Sequence, residues 1–293
     1  MLYDVSLSIS YEYASLTMLG RQHLRVMPAD LPGEQRLVQG RFTVDPVPDE
    51  CSSHLDFWGN PVIDLAYRSA YREVRYGVAA RVERLAGMAD LTRSIGLSAL
   101  PEALGACHVL EAGSPHHFLG ASPRVRADAA TAGYARARIA PDMSVADAVI
   151  ALGRALHGDM RFDPKATEVD TPFNLAFAQR RGVCQDFSHI MISCLRGIGV
   201  PAGYVSGYLR TDPPRGKPRL AGADAMHAWV RAWCGPDLGW IEYDPTNARF
   251  ALADHIIIAR GRDYSDVAPV KGVLRTAGAQ QGKHAVDVMP VAS

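Results

Sequence analysis

No apolar run in this 293-residue chain approaches the roughly 20 residues that a bilayer-spanning helix needs, so no segment reads as crossing a membrane. Net charge is missing too. The chain carries 31 Lys+Arg against 31 Asp+Glu, and without a basic excess or stripe it does not read as a nucleic-acid binder. Cysteine is scarce and unpatterned: the five, at 51, 107, 184, 194 and 234, include no C-x-x-C pair, which fits neither a disulfide framework nor a zinc finger. There is no G-x-x-x-x-G-K-[ST], no G-x-G-x-x-G and no metal-ligand spacing, so neither a nucleotide nor a metal cofactor is expected. The start, MLYDVSLSISYEY, has an acid at Asp4 and lacks the basic and continuous apolar regions of a signal peptide. The sequence therefore reads as soluble, reduced and cytoplasmic.

What is present is a globular composition, 48% hydrophobic and 21% charged, which rules out wholesale disorder. The length supports two domains of roughly 100–150 residues. In residues 1–85, Tyr3, Val5, Leu7 and Ile9 alternate with polar neighbours as one face of a strand should. Short runs at 20–28, 35–44, 62–68 and 72–84 follow, punctuated by Pro32-Gly33, the Pro-rich 46–48 and Gly59-Asn60-Pro61. That spacing predicts a small antiparallel β-sandwich. It holds nothing of catalytic spacing and is read as a scaffold or docking domain. Residues 86–143 are rich in Ala, Gly and Pro and read as a connecting region of short helices, with His116-His117 in a solvated loop.

From 144 the period changes. Ser144 predicts a cap for a helix carrying Val145, Ala148, Val149, Leu152 and Leu156. A second helix is predicted over 171–181, capped by Thr171 with Pro172 at its first position and closing at Gly182. A third runs to Gly197–Gly199 and is followed by strands at 202–209, 226–234 and 239–243. The loop 210–222 between these strands is Pro/Gly-rich. Within it, 210–219 (RTDPPRGKPR) has four basic residues and one acid; it reads as a solvated loop, with a rim favouring acidic peptides as the functional alternative. The core is placed at 144–276, and 277–293 is expected to fray. All-β followed by α+β means two unlike domains.

Cys184 falls in the first turn of the third helix, on the apolar stripe of Phe187, Ile190, Met191, Cys194, Leu195 and Ile198. Unpaired amides and the helix dipole favour an anion there, the condition under which a thiol becomes a usable nucleophile. Gly182 just before it permits a tight backbone entry. A free cysteine is more often a small core residue, and Cys194, Cys51, Cys107 and Cys234 are read so. His189 lies about 140° around the helix from Cys184 and is read as structural. Strand alternation in AMHAWVRAW places His227, Trp229, Arg231 and Trp233 on one face. Asp244 ends the next strand, where Pro245 stops it. Two antiparallel neighbours can present His227 beside Asp244, so that the carboxylate fixes the imidazole and the imidazole activates Cys184.

The blocks GVCQDFSH, RGIGVPAGYVSGYL, DAMHAWVRAW and GWIEYDPTN, in this order and spaced 43 and 17 residues from Cys184 to His227 to Asp244, resemble the transglutaminase-like superfamily of thiol enzymes. The resemblance covers about 145–260. Residues 1–85, notably RQHLRVMP and DFWGNPV, resemble the β-rich amino-terminal domain that accompanies this core in bacteria. The resemblance implies a papain-like α+β core and a Cys184–His227–Asp244 triad, with the Cys184 N–H as first oxyanion donor and Gln179 as a candidate second. It implies cofactor-free acyl transfer on amide bonds of peptides or proteins through a thioester, hydrolytic rather than cross-linking. A protein-glutamine transglutaminase, a non-catalytic peptide-binding module and a metal site of Cys184, His189 and His227 remain as alternatives. Oligomeric state is not legible.

Overall fold

The computed structural model describes residues 1–85, 87–211, 222 and 224–291. The chain opens on one 23-residue strand, β1 (Leu2–Leu24). Its predicted alternation is real: Tyr3, Val5, Leu7 and Ile9 are at most 4% exposed, while the serines between them face solvent. Then come β2 (Gln35–Asp45), β3 (Glu50–Leu55), β4 (Pro61–Tyr67) and β5 (Tyr71–Arg84), all antiparallel. The register of β1 against β5 shifts between Glu12 and Thr17. Up to Glu12 β1 pairs β5, with one further pair at Thr17, and from Gly20 onward it pairs β4. One strand thus serves two sheet halves whose side chains share a core, with Tyr13 edge-on to Tyr71 at 5.9 Å. This is the antiparallel sandwich that the sequence predicts.

The connecting region contains α1 (Leu100–Gly105) and α2 (Ala129–Arg136) with three single turns of 3₁₀ helix. His116 and His117 sit in one of those turns, where His116 Nε2 lies 2.7 Å from the Cys107 carbonyl and His117 Nε2 3.1 Å from that of Leu110. The core follows with α3 (Val145–Asp159), β6 (Arg161–Phe162), α4 (Phe173–Gln179), β7 (Arg181–Gly182), α5 (Cys184–Arg196), β8 (Ala202–Leu209), β9 (Ala225–Trp233), β10 (Trp240–Asp244), β11 (Arg249–Phe250), β12 (His255–Gly261) and α6 (Tyr264–Val267). Ser144 caps α3 as predicted, its hydroxyl accepting the Asp147 N–H at 3.1 Å. The core sheet runs β11-β10-β9-β8-β12. Helix α5 lies against β9 and β8, and α3 against β10. No helix among the described residues is long and apolar enough to cross a membrane.

Three expectations need correcting. First, the described part of the expected frayed tail, 277–291, is ordered, most of it as strand. β14 (Gln280–Pro290) pairs with β1 from Tyr3 to Tyr13, and β13 (Val270–Arg275) pairs with its second half. The amino-terminal sheet is therefore completed by the carboxy-terminal end of the chain, beyond the predicted 1–85. The reason it escaped the sequence is physical: along β14 only Val286 and Val288 are buried, so its place is set by backbone pairing to a distant strand rather than by its own pattern. Second, α4 is shorter than predicted. Pro172 with extended backbone (φ −62°, ψ 136°) takes the cap position, and Arg180 in the left-handed region (φ 53°) ends the helix before Gly182. Third, Cys51 is exposed on β3 and Cys107 half-buried, whereas Cys194 and Cys234 are core residues, their thiols pushed up to about 12 by burial. The basic stretch 210–219 lies, from 212 onward, outside the described residues.

A pair of substitutions tests the β14 placement. Val286→Ala, at a fully buried position, should cost about 1–3 kcal/mol of unfolding free energy by denaturant titration. Val273→Ala on β13, where the side chain is 78% exposed, should stay within about 0.5 kcal/mol. Equal, near-zero effects would mean that the last strand does not pack as described.

Candidate active site

Helix α5 is the most apolar-faced helix of the core, and its first residue is Cys184, half-buried. The helix start is fixed by Asp186, whose carboxyl reaches back to accept the Val183 N–H at 2.8 Å and the Thr167 hydroxyl at 2.6 Å. Burial raises the Asp186 pKa against those two hydrogen bonds. Gly182 matters here for space rather than for backbone freedom. A Cβ at Gly182 would stand 2.5 Å from the Asp186 carboxylate oxygen. The helical hydrogen bonds begin with the Asp186 and Phe187 amides on the Val183 carbonyl, so the Cys184 and Gln185 amides ahead of them have no carbonyl partner within the helix.

The sheet supplies the other groups. Ala228, Val230 and Ala232 of β9 join the core cluster that α5 shares, and the intervening positions carry His227, Trp229 and Arg231. His227 stands opposite Gly207 of β8. A Cβ at Gly207 would lie 2.3 Å from the Trp229 indole and 2.2 Å from the Ile256 carbonyl. The glycine therefore lets the indole cross β8 and stand beside His227, ring centroids 6.2 Å apart.

Asp244 closes the arrangement. It is fully buried at the end of β10. Oδ1 accepts the N–H groups of Thr246 (2.9 Å) and Asn247 (3.2 Å), and Oδ2 accepts Asn247 Nδ2–H (2.7 Å). His227 Nε2 is 2.8 Å from the same Oδ2, and His255 Nε2 is 3.1 Å from it. A carboxylate can only accept, so both imidazoles must present Nε2–H to it. Burial would raise the Asp244 pKa, but these hydrogen bonds, led by those of His227 and His255, hold it far below the usual carboxylate range.

With Nε2 committed, Nδ1 is the His227 nitrogen left for the thiol, and Cys184 is the neighbour that raises the His227 pKa most. Burial alone would lower the His227 pKa. The charge of Cys184 foremost, then the hydrogen bond to Asp244, push it to about 10. His255 behaves oppositely: burial lowers its pKa despite Asp244. One imidazole of the pair is therefore built to hold a proton and the other to stay neutral.

The structure thus brings Cys184, His227 and Asp244 together. It leaves Gln179 aside: the residue ends α4, is exposed, and its amide oxygen accepts from Arg181 Nε at 3.3 Å. His189 is buried in a structural role, Nε2 accepting the Tyr264 N–H at 3.2 Å, with burial lowering its pKa to about 4. That occupied nitrogen takes it out of a metal set with Cys184 and His227. His227, Asp244 and His255 do have ligating chemistry, their donor atoms all within 4.8 Å of one another. His255 was invisible in the sequence, where it only begins an apolar strand, HIIIARG; a histidine at the head of an edge strand is the one signal it gave.

The chain matches the transglutaminase-like superfamily over residues 132–245 and the bacterial transglutaminase-like N-terminal region over residues 3–83. An uncharacterised protein of Mycobacterium tuberculosis is 33% identical over 245 residues, 83% of this chain and 78% of that one. An uncharacterised protein of Mycobacterium leprae is 42% identical over 144 residues, about half of each chain. The crystal structure of a Cytophaga hutchinsonii protein, provisionally described as a cysteine protease, superposes with a TM-score of 0.78 at 19% identity, covering 100% of this chain and 91% of that one; at such identity the likeness speaks for the fold. The chain belongs to the transglutaminase-like superfamily, with the bacterial amino-terminal region ahead of its core.

Proposed function

We propose that the protein is a cysteine-dependent acyl-transfer enzyme that hydrolyses amide bonds of peptides or proteins, with Cys184, His227 and Asp244 as its triad. The observation that carries this reading is the His227 imidazole, held by Asp244 at 2.8 Å through Nε2 and acted on from its other side by Cys184 at the head of α5. In the proposed cycle Cys184 gives its proton to His227 and Sγ attacks the amide carbon, a C–S bond forming as the carbonyl electron pair moves to oxygen. The oxyanion meets the Cys184 N–H at the head of α5. Collapse breaks the C–N bond, and His227 gives its proton to the departing amine, leaving a thioester. Water then adds with His227 taking its proton, and the acid leaves as the thiol is restored. Hydrolysis is the favoured outcome because the fold is shared with a protein provisionally described as a cysteine protease. The five free cysteines fit a reducing compartment, and the cytoplasm is the proposed location. Turnover of a peptide library by the purified protein, with and without an added primary amine, tests the acceptor: amine incorporation in place of free acid would make it a transglutaminase.

Three measurements follow from the geometry. Cys184→Ala should abolish turnover and leave the protein folded, since one small half-buried side chain is lost; retained hydrolysis would remove the thiol from the chemistry.

The same variant should change a pH dependence. His227 is raised from 6.5 to about 10, so its contribution to stability is complete below pH 6.5 and is lost as pH rises through about 10. Without Cys184 the leading cause of that rise is gone. The fall in thermal midpoint over this range should flatten, and the NMR titration of the His227 ring should move down. An unmoved titration would mean that the two side chains do not meet.

Asp244→Asn should lower kcat/KM by about 10–10³-fold, less than the drop of about 10⁴ known for a serine triad. It should also cost about 3 kcal/mol at neutral pH, because an NH₂ would face donors that now meet an oxygen. The Asp244 contribution is present above 3.8 and disappears as pH falls towards the native value, so the deficit of the variant should shrink below about pH 4. Full activity with an unchanged midpoint would leave only a Cys184–His227 dyad.

A further inference from the structure

Between the two sheets lies a charge cluster that does not balance. Arg260 Nε donates to Glu242 Oε1 at 2.8 Å, and its terminal nitrogens reach both carboxylate oxygens of Glu34. Glu242 Oε2 accepts the Trp229 indole N–H at 2.8 Å. Arg84 donates to the carbonyl of Glu34 at 3.1 Å. Both carboxylates are thereby engaged, yet Arg231 is also there, 8% exposed. Among the described residues the Arg231 side chain makes no ion pair and no hydrogen bond, and its Nε is buried without a partner. Three guanidiniums face two carboxylates, which leaves one positive charge over. Burial, with Arg260 behind it, pulls the Arg231 pKa down to about 9, so it remains a cation at neutral pH.

What Arg231 does have is aromatic cover. Its guanidinium lies 4.0 Å from the Trp240 ring centroid and 5.6 Å from that of Phe118. Rings satisfy the faces of a guanidinium and leave its in-plane N–H donors untouched. A cavity of about 190 Å³ opens beside them, lined by Arg231, Arg260, Trp58, Phe118, Leu31 and Ile257 among others. Its walls come from the β3–β4 turn, the segment after β1, the connecting region and the core sheet. One end thus presents the Arg231 guanidinium, and the rest mixes the apolar faces of Leu31, Trp58, Phe118 and Ile257 with the polar groups of Asn60 and Arg260. That is the pattern of a site for a small molecule with one planar anionic group.

We propose that this cavity binds a small carboxylate, its two oxygens taking the free in-plane N–H groups of Arg231 and its apolar body lying against Leu31, Trp58 and Ile257. The site is separate from the thiol. Arg231 is four residues past His227 on β9, about 13 Å along the strand, with the Trp229 indole on the same face between them. It does not depend on the proposed reaction, and it gives the buried cation the counter-charge that the chain itself does not supply.

The test is calorimetric and thermal-shift titration of the full chain in a buffer free of carboxylate and phosphate. The probes are acetate, 3-methylbutyrate and benzoate, their uncharged amides, and sulfate and chloride. The expected result is saturable binding of 3-methylbutyrate or benzoate at about millimolar Kd or tighter, at least about tenfold tighter than the matching amide or either inorganic anion. Arg231→Met should abolish that binding while the midpoint holds or rises, since an unpaired buried charge is gone. Should that variant not fold, Arg231→Lys, which keeps the charge but loses the planar fork, should weaken binding about tenfold. No saturable carboxylate binding up to about 50 mM would overturn the proposal and leave a hydrated arginine. Equal or tighter sulfate or chloride binding would make this an inorganic-anion site, and unchanged carboxylate affinity in Arg231→Met would place the binding elsewhere.

Discussion

One buried carboxylate sets the terms for the candidate site. Asp244 has no exposed surface, and a lone charge so placed would be costly enough to stay protonated. It stays ionised because five donors converge on it: two backbone amides and a side-chain amide from Thr246 and Asn247, and two imidazoles. Each donor fixes something. The Thr246 and Asn247 contacts hold the turn that ends β10, His227 is pinned to one tautomer, and His255 ties in β12. The last is the least obvious, because β10 and β12 are separated by β9 and β8 in the sheet. Their side chains meet on one face beside Gly207, where the Trp229 indole occupies the space a Cβ would take.

What was legible in the sequence is what local periodicity encodes. The apolar stripe from Cys184 to Leu195, the alternation of β9 and the Pro245 stop after Asp244 are patterns of 3.6 or 2 residues. They put the thiol at a helix head, and the imidazole and the carboxylate on neighbouring strands. What was not legible depends on partners far along the chain. β14 has almost no buried side chains and is held by its ladder to β1, and His255 matters only through a carboxylate on a non-adjacent strand. Gln179 failed for a related reason: the resemblance supplied a role, but the left-handed turn at Arg180 that closes α4 leaves the side chain at the surface, against Arg181. Gly182 was right as a position and wrong as a reason, since the demand comes from a side chain four residues ahead.

The corrected strand assignment changes what the amino-terminal region is. With β13 and β14 laid on either half of β1, the first and last described strands form one sheet, and the core is enclosed between them in sequence. A unit built this way is not an appendage at a chain end. Cutting the chain near 140 would remove β1 and leave β13 and β14 with exposed edges, a known hazard for aggregation.

The same connection reaches towards the site through charge. Glu34, just before β2, holds Arg260 on β12; Arg260 holds Glu242 on β10; Glu242 accepts the Trp229 N–H; and Trp229 stands between the two imidazoles that share Asp244. Each step is a direct contact, and those at Glu242 and Trp229 are well shielded from water, where electrostatic contacts are screened least. Spatial continuity alone does not establish energetic coupling. It does establish which groups would have to move together: a shift of the amino-terminal sheet that pulled Glu34 away would leave Arg260 with Glu242 as its remaining ion-pair partner, beside an Arg231 that already has none. The surplus of positive charge at that junction would then grow, and the contacts holding the sheet against the core resist such a shift for that reason.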